Sequence, residues 1–204
     1  MNPRVRKRLN DRNRRGYSLL ELLMVLAGIG IVSGFVFIKA QTILPTFKAN
    51  SAMDQVIQQV RVARSTAIAD RRAVVVNISV AAGTIQLQQV PPNGGAPVTI
   101  STLPLTGAQF CLVPGIPDTP RAFGNTQPVN FVNANNPGAV VTVTEFLSDG
   151  SFGDGSVGRA VGSPVNGTIF MCIPGNNQVA RAVTILGATG RIRPYRWNGT
   201  AWQE

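Results

Sequence analysis

The stretch RRGYSLLELLMVLAGIGIVSGFVFI, residues 14–38, decides how this chain is read. Its apolar part, Tyr17–Ile38, has 22 residues and a single charged one, Glu21. As a helix it reaches roughly 33 Å at 1.5 Å per residue, enough to cross the hydrocarbon core of a bilayer. A carboxylate there is costly: an acidic side chain at the centre of an inserted helix costs about 2.5–3.5 kcal/mol. Such a residue calls for a partner. No A-x-A-like cleavage site follows the run, which separates it from an ordinary secretory signal. Gly30 and Gly34 form a G-x-x-x-G pair suited to close helix contact.

Charge is distributed unevenly on either side of this run. The 204 residues carry a net +10, and residues 1–16 hold seven bases against one acid. A basic tail before an apolar span is the arrangement of the positive-inside rule, with the tail cytoplasmic and the remainder on the far side. The high pI therefore says little about the body of the protein. The chain has no histidine, which excludes Ser-His and Cys-His catalysis and the commonest nitrogen metal ligand. Its few acids are scattered, so no enzyme, cofactor or metal centre is expected. Cys111 and Cys172 are far apart and lack C-x-x-C spacing. In an oxidising compartment they pair; two separate buried thiols are the alternative.

After Lys39 a second helical pattern begins. Ala49, Met53, Val56, Val60, Ala63 and Ala67 recur every three or four residues, and Asp54, Gln55, Gln58, Gln59, Arg61 and Ser65 fall on the opposite face. Pro45 lacks an N–H and is expected to bend the helix where the two patterns meet.

Strand signals follow. Val74–Val80 is β-branched, Ala82-Gly83 offers a turn, and Thr84–Val90 alternates. Further strands are expected at Val98–Leu103, near Val129–Val132, and at Val140–Leu147, Thr168–Ile173 and Val179–Leu186. Residues 114–138 read as loop, and SDGSFGDGSVG as a flexible turn whose Asp149 and Asp154 match no calcium loop.

The C-terminal GRIRPYRWNGTAW has chemical character of its own. Strand alternation puts Arg191, Arg193, Tyr195 and Trp197 on one face. A two-residue Asn198-Gly199 turn would set Tyr195 opposite Trp202. Together with Arg196, these basic and aromatic side chains suit a nucleic-acid strand, arginine on phosphate and rings under bases. An edge hairpin with aromatics covering the domain's end and solvated arginines is the competing reading.

RRGYSLLELL resembles a class III prepilin signal: a basic leader ending at Gly16, cleavage before Tyr17, and an acid at the fifth mature position, Glu21. The family usually has Phe where Tyr17 stands. QQVRVARSTAIADRRAVVV, FLSDGS and VTILGATGRIRPYRW are similar to segments of the GspH/FimT branch of minor pilins and pseudopilins, while residues 90–140 are essentially unmatched. The resemblance implies an α+β, type IV pilin-like fold, a long N-terminal helix packed on antiparallel β-sheet. Residues 1–16 would be a leader, 17–38 the membrane and assembly helix, 39–72 an amphipathic spine and 73–204 a periplasmic β-rich domain. It also implies cleavage after Gly16 by a prepilin peptidase and methylation of the Tyr17 amine. Glu21 would then meet the amine of a neighbouring pilin in an inner-membrane-anchored filament. Two roles fit: a GspH-like minor pseudopilin of a type II secretion system, or a FimT/FimU-like minor pilin. G-R-x-R, at Arg191 and Arg193, is similar to the segment with which DNA-uptake members bind DNA.

Overall fold

The computed structural model describes residues 17–93, 95–155 and 162–204. The expected leader, residues 1–16 with Gly16, lies outside the described residues. The chain divides into two compact units between Thr42 and Ile43, which groups the second half of the long helix with the β-rich region.

The first unit contributes the start of helix α1, which spans Leu19–Asp70. Within it Leu19–Phe37 is long and apolar enough to cross a membrane, with a mean hydropathy of 2.3 and every residue exposed. Pro45 lies inside α1 without ending it.

In the second unit the small and β-branched residues of α1 explain its packing. Ala49, Met53, Val56, Val60, Ala63 and Ala67 are all buried, joined by Ala52 and Ile57. The alanines let the sheets approach the helix closely, and each buried valine contributes about 1.5–3 kcal/mol. Arg71, at positive φ, follows the last helical turn, and the amide of Arg72 bonds the Ala67 carbonyl as the chain leaves the helix.

Among the described residues twelve strands form two antiparallel sheets. They are β1 (Val74–Ser79), β2 (Thr84–Gln89), β3 (Val98–Pro104), β4 (Gln109–Phe110), β5 (Val129–Asn133), β6 (Asn136–Val140), β7 (Thr144–Phe146), β8 (Phe152–Asp154), β9 (Val165–Ile173), β10 (Asn176–Leu186), β11 (Arg191–Trp197) and β12 (Trp202–Gln203). The first sheet runs β3-β2-β1-β7-β8 and the second β12-β11-β10-β9-β5-β6. β4 and β5 share one edge of β9, β4 pairing at Cys172 and Met171 and β5 from Ile169 to Val165. A single apolar core joins the α1 face to both sheets: Ile85, Leu87 and Phe146 come from the first, Phe131, Ile169, Val183 and Ile185 from the second. Phe152 of β8 stacks against Phe131 and Phe146, with centroids 5.4 and 4.8 Å away.

Three expectations need correction. Val140–Leu147 is not one strand; it is divided between β6 in the second sheet and β7 in the first, with Thr142 and Val143 in the bend between them. The expected loop over 114–138 contains the start of β6, because Asn136-Pro-Gly lies at a sheet edge, where missing donors are tolerated. The SDGSFGDGSVG turn contains β8. Asp149 accepts bonds from the amide and hydroxyl of Ser151 at 2.8 and 2.6 Å, and Asp154 from the Ser163 amide at 2.6 Å. Both carboxylates organise turns. No group of three metal-ligating side chains occurs among the described residues.

Candidate functional site

Of the expected processing and assembly residues, Tyr17 is 84% exposed and Glu21 is exposed in the first turn of α1. The Glu21 side chain makes no hydrogen bond or ion pair with any described residue. Its neighbours Leu19, Leu20, Leu22, Leu23 and Met24 are exposed apolar side chains. An acid surrounded by bare leucine is costly in lipid and has no partner within its own described chain.

Cys111 and Cys172 are joined in a disulfide, their Cα atoms 5.6 Å apart, within the usual span for such a bridge. The bridge ties the segment after β4 to β9. Val113, Ala180, Trp197 and Trp202 pack around it.

The C-terminal residues do not form one exposed strip. Tyr195 is 4% exposed, packed with Phe170, Ala182 and Trp202. Trp197 lies edge-on to Trp202 at 5.5 Å, and the Trp202 indole donates to the Pro117 carbonyl at 2.8 Å. Arg193 is ion-paired with Glu204. Arg196 is exposed on the other side of the strand, next to Arg181 in the register. The hairpin register also differs from expectation. Trp197, not Tyr195, pairs with Trp202, because the loop is four residues long. Asn198 closes it: its side-chain oxygen accepts from the amides of Thr200 and Ala201, and its own amide bonds the Ala201 carbonyl.

Arg191 lies apart from the other four, in an open groove of about 670 Å³ between the end of α1 and the β10–β11 turn. Beside it is a residue that the sequence reading did not single out. Arg64 donates from Nε to the Gly150 carbonyl and from a terminal nitrogen to the Thr189 carbonyl, both at 3.0 Å. This clasp joins helix, first sheet and second sheet. It needs glycine on both sides. A Cβ on Gly190 would lie 2.1 Å from the Gly150 carbonyl oxygen and 2.9 Å from Arg64 Nε, and one on Gly150 would lie 2.8 Å from Ile68. Both glycines have positive φ. Residues 63–65, 147–151 and 187–191, distant in sequence, thus meet at one guanidinium. They are parts of the three segments that carry the GspH/FimT resemblance outside the signal.

Two buried charges complete the domain. Arg181 on β10 donates to the Asn50 side chain at 2.9 Å and to the Ala180 carbonyl at 2.7 Å, and burial, then Arg196, holds its pKa below the usual value. Glu145 on β7 is 2% exposed; burial, then the nearby Asp154, raises its pKa from 4.5 to about 7.

No protein-family model matches the chain, and no curated protein matches it. Several solved structures do. The minor pseudopilin EpsH from the type II secretion system of Vibrio cholerae matches at 14% identity and a TM-score of 0.46, over 78% of this chain and 97% of that one. A second EpsH structure matches at 15% identity and 0.44, over 72% and 95%. The type IV minor pilin FimU of Pseudomonas aeruginosa matches at 17% identity and 0.44, over 71% and 85%. The chain is similar to minor pilins and pseudopilins alike.

Proposed function

We propose that this chain is a minor subunit of a type IV pilin-like filament, and within that class a GspH-like pseudopilin of a type II secretion system. It is stored in the inner membrane through residues 17–38, with the leader cytoplasmic and the β-rich domain periplasmic. A prepilin peptidase removes the leader after Gly16 and methylates the amine of Tyr17. The Glu21 carboxylate then pairs with the amine of a neighbouring subunit. An amine and a carboxylate are each costly in lipid, and pairing lowers both costs.

The observation that carries this reading is Glu21 itself, an unpartnered acid in the first turn of a bare apolar helix. A structural role, with no catalytic one, fits the scattered acids and the absence of histidine. The FimT/FimU-like alternative, with DNA capture through Arg191, Arg193, Tyr195, Arg196 and Trp197, has less support. The rings that would stack on bases are packed inside the domain's end, and Arg193 is neutralised by Glu204.

Glu21→Val tests the proposal. The variant is expected to insert and be cleaved normally but to co-purify poorly with other pilins of its system. Co-purification at the level of the unaltered chain would sink the pairing argument.

A further inference from the structure

The groove between α1 and the β10–β11 turn concentrates positive charge. Its lining contains Arg61, Arg64 and Arg191 and, among the described residues, no acid. Arg61 and Arg191 are exposed, and their side chains make no hydrogen bond or ion pair with any described residue. Arg64 is different. Its two bonds to the Gly150 and Thr189 carbonyls fix the guanidinium in place, so little rotamer freedom remains to be lost on binding. Three like charges lining one groove repel each other, and a bound carboxylate would relieve that repulsion. Ile68, Leu186 and Ile192 also line the groove. A ligand that satisfied the charges alone would leave this aliphatic surface wet.

We propose that this groove is a docking site for an acidic segment of a partner protein, with aliphatic side chains interspersed among its carboxylates. Guanidiniums stand on both walls, Arg61 and Arg64 on α1 and Arg191 on β11, and so do aliphatic groups, Ile68 on α1 and Leu186 and Ile192 on the strands, so a segment bearing both kinds of side chain can meet both. Nucleic acid fits less well. No aromatic ring among the described residues lines the groove, so bases find no stacking surface on them. The proposal does not depend on the filament reading, since it concerns binding by the single chain.

The test uses the full chain in neutral detergent micelles and fluorescence anisotropy with four labelled probes. These are a hexapeptide alternating Glu and Leu, the same peptide with Gln for Glu, one with Ser for Leu, and a single-stranded oligonucleotide. The Glu/Leu peptide is expected to bind at low salt and be released as salt rises. The Gln/Leu peptide should fail to bind, and the Glu/Ser peptide should bind more weakly. Changing Arg61→Gln and Arg191→Gln together should weaken Glu/Leu binding about tenfold, with the urea midpoint confirming an intact fold. Arg193→Gln, outside the groove, should leave binding unchanged. Arg64 is spared, because its removal would open the clasp. No binding of the Glu/Leu peptide at low salt, or equal binding to the double variant, would overturn the proposal. So would tighter binding of the oligonucleotide that is lost in that variant, which would make the groove a nucleic-acid site.

Discussion

Glu145 should make the β-rich domain less stable at neutral pH than in mild acid. The chain has no histidine and both cysteines are bonded, so no other side chain of ordinary pKa titrates between pH 5 and 8. Glu145 pairs with Val75 on one side and Gly153 on the other. Its neighbours on β7 face inward: Phe146 lies in the core, and the Thr144 hydroxyl bonds the Val76 carbonyl. By alternation Glu145 points to the opposite face; burial, then the nearby Asp154, raises its pKa from 4.5 to about 7. Between those two values the folded chain holds a proton that the unfolded chain has released. Stability therefore falls as pH rises through this window, by at most about 3 kcal/mol in total. Asp149 acts in the opposite sense and elsewhere: Ser151 lowers its pKa below 3.8, so its contribution is present above that value and is lost only in stronger acid. The assay is urea unfolding of the full chain in detergent, followed by the fluorescence of Trp197 and Trp202, at pH 5 and pH 8. The midpoint should be higher at pH 5. Glu145→Gln should flatten the dependence, leaving pH 5 nearly unchanged and raising stability at pH 8. A chain equally stable at both values, or a Gln variant that keeps the slope, would refute the reasoning.

The disulfide and the clasp give further tests. Without reductant, neither Cys111 nor Cys172 should react with an alkylating agent under denaturing conditions. Reduction should remove about 4 kcal/mol of stability, given the 61-residue separation; an unchanged urea midpoint after reduction would contradict this. Gly190→Ala should cost at least about 2 kcal/mol, since it puts a side chain at positive φ and against the Gly150 carbonyl. A midpoint equal to that of the unaltered chain would show that the clasp does not bear on stability.

The parts of this fold governed by local periodicity were legible in the sequence. The buried face of α1 follows from Ala49, Met53, Val56, Val60, Ala63 and Ala67, because a 3.6-residue repeat needs no knowledge of the partner surface. β1 and β2 likewise lie within a residue of their expected ends. What was not legible depends on distant contacts. β6 and β8 have weak local strand signals and exist because β5 and β7 offer edges to pair with. Glu145 reads as an outward-facing acid in an alternating strand, and its burial arises only once β1 and β8 flank it. The C-terminal hairpin was misregistered because Asn198-Gly199 suggests a two-residue turn, while the Asn198 side chain stabilises a longer one. The Arg64 clasp spans 86 and 125 residues of separation, and no spacing rule reaches that far.

The central claim, that Gly16-Tyr17-Ser18 marks a processed filament subunit, is tested most directly by the intact mass of the chain recovered from the membranes of its own cells. The expected mass is that of residues 17–204 with one added methyl group, shifting to that of the uncleaved chain when Gly16 is replaced by Val. A chain that begins at Met1 without the substitution, or at Tyr17 despite it, would contradict the account.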